Sequence, residues 1–137
     1  MDVGCGVGVL GLMIAKANPT CEVELIDINE KAVNLAMENK IKNLVKNATI
    51  YVSNLYENVK NTFDVIVSNP PIRAGKVVVH AVVIDAYNYL NSSGEIYLVI
   101  QKKQGAASLE KKLLEVFGNV EVVNKKNGYF ILKSIKN

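Results

Sequence analysis

Asp2-Val3-Gly4-Cys5-Gly6-Val7-Gly8-Val9-Leu10-Gly11 decides how the rest of this chain is read. Four glycines fall within eight residues, an acid stands ahead of them, and an apolar helical pattern follows. That combination predicts a strand end, a tight turn and a helix start. Glycine suits such a turn because it tolerates positive φ and has no Cβ to hold a ligand away from the backbone. Amide N–H groups at the start of the helix then face the crevice beyond the turn. Gly6, Gly8 and Gly11 satisfy G-x-G-x-x-G, and Asp2, Gly4, Gly6 and Gly8 equally satisfy D-x-G-x-G-x-G. Both are nucleotide-site patterns, and the glycines alone do not choose between them.

Outward from this stretch, strand and helix patterns alternate. Val9 to Ala17 reads as a short, mostly buried helix stopped by Asn18-Pro19. Cys21 to Ile28 is a strand ending at Asp27, and Asn29 is an N-cap for a helix from Glu30 to about Lys42. Ala48 to Ser53 is a third strand, Asn54 to Asn58 an irregular loop, and Phe63 to Ser68 a fourth strand that runs into Asn69-Pro70-Pro71. Proline has no donor for the ladder, so the strand must stop there. Gly75 to Leu90 is helical, Ser92-Ser93-Gly94 ends it, and Glu95 to Gln101 is a fifth strand followed by a basic loop. Ala107 to Phe117 is an amphipathic helix. Val120 to Asn124 and Tyr129 to Ser134 then form a hairpin through Lys125-Lys126-Asn127-Gly128. The expected fold is α/β, a Rossmann-like doubly wound sheet whose last strand is antiparallel, in one domain spanning 1–137.

Composition narrows the class. The chain has 137 residues, half of them hydrophobic, which supports a sizeable core and excludes a disordered protein. No apolar run reaches the roughly 18–20 residues needed to cross a bilayer, and no basic leader precedes an apolar stretch, so a cytoplasmic protein without a membrane partner is expected. Net charge is +3, compatible with an anionic partner without requiring one. Cys5 and Cys21 fall at opposite ends of adjacent strands, about six residues at ~3.3 Å each apart, so reduced thiols are expected. With a single histidine, His80, and no Cys/His cluster, no metal site is expected.

In an open α/β sheet, ligands bind at the carboxyl ends of the strands. The polar residues there are the glycine turn, Asp27, Ser53-Asn54, Asn69-Pro70-Pro71 and Gln101-Lys102-Lys103. Asp27 lies nineteen residues after Gly8, the spacing at which an acid accepts hydrogen bonds from ribose hydroxyls. The first two βα units therefore suit an adenosine-type ligand, either NAD or S-adenosylmethionine. Asn69-Pro70-Pro71 favours the second. A nicotinamide enzyme has no use for it, whereas transfer to a planar exocyclic amine does. The proline backbone lets its carbonyl and the Asn69 side chain accept both N–H bonds of an –NH₂ group. Catalysis is then positioning plus electrostatics, with no metal and no covalent enzyme intermediate.

These residues resemble the class I S-adenosylmethionine-dependent methyltransferases. More narrowly, the chain is similar to the small methyltransferase domain family that includes the RsmC-type 16S rRNA guanine-N2 methyltransferases. The resemblance is carried by DVGCGVGVLGL, ELIDINEKAV, SNPPIRAGK with the following VVH, VIQKKQGA, FGNVEVV and GYFIL. It implies the strand order 3-2-1-4-5-7-6 with an antiparallel last strand. It also implies S-adenosylmethionine as cofactor, with Asp2, Gly4, Gly6 and Gly8 at its methionine end. Asp27 is expected at the ribose, Ile28 against the adenine, and Ser53 and Asn54 bordering the adenine amino group. Asn69, Pro70 and Pro71 are expected to receive the target amine, with Ile72 beside it. Related sequences usually have Asp where Asn54 stands, which predicts weaker adenine binding. Many have Tyr or Phe where Ile72 stands, which turns the expectation away from adenine N6 or glutamine.

The implied activity is N-methylation of guanine N2 in ribosomal RNA. The alternatives are another planar amine (adenine N6, a protein glutamine, a small molecule) or a non-catalytic nucleotide- or RNA-binding remnant. For RNA, Arg73, Lys76, Lys102 and Lys103 are expected near the Asn69-Pro70-Pro71 loop, where phosphate contacts give affinity without sequence information. His80 is expected to pack or to bond a loop rather than to act as an acid or base. Family members have several dozen residues before the aspartate, so strand one is expected to be a truncated stub from Met1 to Val3, and the chain a fragment of a longer enzyme.

Overall fold

The computed structural model describes all 137 residues. Seven strands take the order β3-β2-β1-β4-β5-β7-β6, the order expected of this fold class. The chain divides into two compact units, Met1–Val59 and Lys60–Asn137.

The first unit runs β1 (Asp2–Val3), α1 (Val9–Ala17), β2 (Val23–Asp27), α2 (Glu30–Lys42) and β3 (Ala48–Val52). β1 pairs parallel to β2, Asp2 opposite Leu25 and Val3 opposite Ile26, and β2 pairs parallel to β3 from Val23↔Ala48 to Asp27↔Val52. Val23 and Leu25 of β2 and Ile50 of β3 share one face of the sheet, under α1 and α2, while Ile26 is buried on the other. The first three meet Leu12, Ala15, Val33 and Ala36 in one buried cluster. α2 starts where the sequence predicts. The Asn29 side chain accepts from the amides of Lys31 (2.9 Å) and Ala32 (3.2 Å), satisfying two orphan donors of the first turn. α1 stops at Asn18, whose side chain donates to the Ile14 carbonyl at 2.8 Å. Both cysteines are free thiols, Cys21 exposed and Cys5 half-buried.

The second unit runs β4 (Phe63–Ser68), α3 (Lys76–Tyr89), β5 (Leu90–Gln101), α4 (Ala106–Phe117), β6 (Glu121–Lys126) and β7 (Tyr129–Ile135). β4 and β5 are parallel, while β7 runs antiparallel to both β5 and β6. Ile66, Ile96, Leu98 and Leu132 from the sheet, with Val82, Val83, Leu109 and Leu113 from the helices, are fully buried. The hairpin turn is tighter than the four residues expected. Only Asn127 and Gly128 lie outside the strands, with φ of 53° and 79°, and their left-handed pair matches the twist of the flanking strands.

Ser92-Ser93-Gly94 corrects one expectation. It does not separate α3 from β5, because β5 begins at Leu90, directly after the helix. The register against β4 slips between Phe63↔Leu90 and Val65↔Glu95, so the serines and glycine form a bulge within the strand. Backbone partners hold this bulge. The Ser93 amide donates to the Lys136 carbonyl at 2.7 Å and the Lys136 amide to the Gly94 carbonyl at 2.9 Å. A Cβ on Gly94 would lie 2.7 Å from the Asn91 carbonyl oxygen, so glycine is the residue that fits. No helix in the chain is long and apolar enough to cross a membrane.

Candidate functional site

The turn after β1 winds through three alternating left-handed glycines, Gly4, Gly6 and Gly8, with φ of 70°, 56° and 89°. Each would strain any residue with a Cβ. The Cys5 amide donates to the Ile26 carbonyl at 2.8 Å, carrying the β1–β2 ladder one step past the strand, and the Gly8 amide closes the turn onto the Cys5 carbonyl at 2.9 Å. The Leu12 amide then donates to the Gly8 carbonyl at 2.9 Å as the first bond of α1. From α2, the Asn39 side chain holds the Val7 carbonyl at 2.9 Å.

The glycines divide by purpose. A Cβ on Gly6 would meet nothing within 4 Å, so this position faces open space. A Cβ on Gly11 would lie 2.5 Å from Leu25 Cδ2, so this position exists for close helix-to-strand packing. The same close approach lets the Gly11 amide donate to Asp2 Oδ2 at 2.9 Å. Asp2, expected at the methionine end of the cofactor, turns its carboxylate inward, with 2% of the residue exposed. Burial pushes its pKa up to about 6, against the opposing pull of the Gly11 hydrogen bond. Cys5 lies in the same turn, and burial, aided by the charges of Asp2 and Asp27, pushes its thiol up to about 12, which makes it inert.

Asp27 ends β2 with its carboxylate spread across the loop. Oδ2 accepts from the Gly6 amide at 2.8 Å and Oδ1 from the Asn29 amide at 2.9 Å. A carboxylate has about four acceptor positions, so capacity remains on each oxygen. Ile28 beside it is 65% exposed. After β3, the Ser53 hydroxyl is committed to its own loop. It donates to the Leu55 carbonyl at 2.6 Å and accepts from the Asn58 amide at 3.0 Å, in a buried position. Asn54 is exposed. Ser53 therefore shapes the loop and Asn54 presents it.

In the second unit, β4 ends at Ser68 and the chain enters Asn69-Pro70-Pro71 with Asn69 exposed and Pro70 buried. The Ile72 amide donates to the Pro70 carbonyl at 2.9 Å, with Pro71 at φ −76° and ψ 79° between them. This is an inverse γ-turn, which proline's fixed φ favours. It uses one lone pair of the Pro70 carbonyl and leaves the other. Ile72–Ala74 then form a short 3₁₀ turn before α3. Lys102–Gln104, expected as a loop, form a second one. Arg73, Lys76, Lys102 and Lys103 are all exposed. Ile72 and Lys76 border one concavity with Gln104 and Gly105, so the two basic segments meet at that edge of the unit. His80 does bond a neighbour, the Ser108 hydroxyl at 3.2 Å. Ser108 and Gln104 line the same concavity as Ile72 and Lys76. Nothing local marks either residue, since each acquires its neighbours through the packing of α3 against α4.

The methyltransferase small domain family matches residues 1–133. The protein YbxB of Bacillus subtilis (strain 168), named as uncharacterized, is 49% identical over 138 residues, covering 99% of this chain and 69% of that protein. Ribosomal RNA small subunit methyltransferase C of Psychromonas ingrahamii is 27% identical over 139 residues, 98% of this chain and 39% of that enzyme. Among solved structures, the T. thermophilus 16S rRNA N2 G1207 methyltransferase (RsmC) in complex with AdoMet and guanosine superposes with a TM-score of 0.87 at 28% identity. That match covers 99% of this chain and 36% of that one, so this chain spans well under half the length of these two enzymes.

Proposed function

The chain belongs to the methyltransferase small domain family, and from that premise we propose that it transfers a methyl group from S-adenosylmethionine to an exocyclic amine, guanine N2 of ribosomal RNA. The observation that carries this reading is the Asn69-Pro70-Pro71 turn in a chain that superposes, with a TM-score of 0.87, on an RsmC enzyme holding AdoMet and guanosine.

Three features of the first unit fit S-adenosylmethionine. Gly6 leaves open space where a side chain would stand. Asp27 keeps acceptor capacity for ribose hydroxyls after bonding the Gly6 and Asn29 amides. Ile28 offers an exposed apolar surface to the adenine. The residues that hold the cofactor are then Gly4, Gly6 and Gly8 by their backbone, Asp27 and Ile28 by their side chains, and Asn54 at the adenine edge. Asp2 and Ser53 act one step back, bracing the glycine turn and the loop after β3. When bound, the cofactor supplies a methyl group already activated on a sulfonium, so the protein needs no nucleophile of its own.

The protein's task is to hold the amine. The Asn69 side-chain oxygen and the free lone pair of the Pro70 carbonyl each accept one N–H of the –NH₂ group. That fixes the nitrogen and aims its lone pair. Pro71 keeps the carbonyl still through the γ-turn, so the acceptors are preorganised before substrate arrives. Ile72 contacts the base through apolar surface. Arg73, Lys76, Lys102 and Lys103 contribute sequence-independent attraction to phosphates.

Calorimetric titration with S-adenosylmethionine and with NAD, followed by nucleoside analysis of treated 16S rRNA, tests this reading. Binding of the first only, and formation of N2-methylguanosine, are expected. NAD binding alone overturns the cofactor assignment, and methylated adenosine without N2-methylguanosine overturns the substrate. Asn69→Ala should abolish methyl transfer and leave cofactor affinity unchanged, and retained turnover refutes its role.

A further inference from the structure

Wholly within the second unit, a concavity of about 330 Å³ opens between the start of α3 and the start of α4. Ile72, Val79 and Leu109 give it apolar walls, and His80, Ser108 and Gln104 place polar atoms along it. We propose that this concavity receives the base of the nucleotide adjacent to the methylated one, and that the His80–Ser108 pair reads its edge. The inference rests on the RNA substrate proposed above and extends it to a second subsite.

Ile72 connects the two sites. It follows Pro71 directly and lines the concavity, so the turn that holds the target amine is continuous with this wall. A target base drawn out of its stack leaves the neighbouring base with one bare face, and that face must find new apolar cover. The concavity supplies it at a size and composition suited to a small planar ligand, mostly apolar with a few convergent polar groups.

The polar pair is suited to an edge carrying both a donor and an acceptor. Ser108 Oγ and His80 Nε2 are 3.2 Å apart, and both residues are half-buried. Desolvation, with the Lys112 and Lys76 ammoniums outweighing the Glu115 carboxylate, holds the imidazole below its ordinary pKa. It is therefore neutral near pH 7, with one donor nitrogen and one acceptor nitrogen. The surroundings favour a polyanion. Lys76 borders the concavity, and Arg73, Lys102 and Lys103 are exposed on the segments that lead into it.

The test uses the full 137-residue chain and fluorescent single-stranded RNA pentamers with a central guanosine. One version is intact, one lacks the base 5′ to the guanosine, and one lacks the base 3′ to it. Anisotropy is read in the presence of S-adenosylhomocysteine, and methylation of each RNA is measured in parallel. Removal of one of the two flanking bases should weaken binding about tenfold, in line with the loss of one base contact. Ser108→Phe, which fills the concavity, should erase the difference between intact and base-free RNA. Ser108→Ala and His80→Gln should reduce the difference between intact and base-free RNA, and S-adenosylmethionine titration reports that each variant is folded. Equal binding of all three RNAs, with the guanosine still methylated, overturns this inference alone. If the cofactor binds and no RNA is bound or methylated, the RNA reading falls and this inference falls with it.

Discussion

Gly11→Ala isolates the packing role of a glycine that sits inside a ligand-binding motif. The new Cβ would lie 2.5 Å from Leu25 Cδ2, 2.6 Å from its Cγ and 2.9 Å from Asp2 Oδ2. Carbon atoms in contact prefer about 3.5–4.0 Å, so roughly 1 Å must be found. Leu25 is fully buried beneath α1 and α2 and has no space to yield. Overpacking of this kind costs about 1–3 kcal/mol, taken here as ~2. Pushing α1 outward also lengthens the bond from the Gly11 amide to the buried Asp2 carboxylate, costing about 1 kcal/mol more of a bond of its class. Alanine returns about 1 kcal/mol through its helix propensity. The net loss is about 2 kcal/mol, or a melting temperature lower by about 6–10 °C for a chain of this size. Thermal denaturation followed by circular dichroism reads it directly. A double-mutant cycle sharpens the reasoning, because Leu25→Ala deletes both clashing carbons. The double variant should be more stable than the sum of the single losses predicts, by roughly 2 kcal/mol. Gly6→Ala is the control: it strains a φ of 56° with nothing within 4 Å. It should cost about 1–2 kcal/mol of stability but reduce S-adenosylmethionine affinity more than Gly11→Ala does. A Gly11→Ala protein that melts at or above wild type, or a strictly additive cycle, refutes this account.

Other expectations follow from single contacts. Asp2 has a folded-state pKa of about 6 against an ordinary value of 3.8, so its contribution to stability is complete below about pH 4 and is lost as pH rises through 6. Melting temperatures of wild type minus Asp2→Asn should therefore decrease from pH 4 to pH 7; a difference independent of pH contradicts the buried carboxylate. Asn119 joins the end of α4 to β7, its side chain donating to the Ile135 carbonyl at 2.8 Å and accepting from the Ile135 amide at 2.9 Å. Asn119→Ala should cost about 2 kcal/mol in urea denaturation, because it leaves two backbone groups unpaired, and a change below 0.5 kcal/mol would be inconsistent with that pairing. Lys103→Gln should weaken single-stranded RNA binding without altering base preference and reduce the slope of log K against log salt by about 0.7, and an unchanged slope removes Lys103 from the phosphate contacts.

Local chemistry made much of this protein legible before any coordinates. The glycine run with its following apolar helix, the Asn29 cap and the Asn127-Gly128 turn are signals spanning only a few residues; α1 and α2 start where they put them, and the hairpin turn narrows to its last two residues. The bulge at Ser92-Ser93-Gly94 was misread for the same reason. Serine and glycine ordinarily end elements, and here the carbonyl and amide of Lys136, more than forty residues away, bond that stretch into the sheet.

The sequence by itself determined the alternation of strands and helices, the acid nineteen residues after Gly8, and the end of the fourth strand at Asn69-Pro70-Pro71. Those follow from backbone preference and spacing, which are properties of neighbouring residues. Tertiary structure alone decided which way the polar groups of the glycine turn face. Asp2 and Asp27 carry the same carboxylate, yet one is buried against Gly11 and the other bridges Gly6 and Asn29 with acceptor capacity to spare. The difference lies in burial and in partners supplied by other elements. For that reason Asp2 and Gly11 become a brace, bonded to each other beside Leu25, only once α1 has packed on β2.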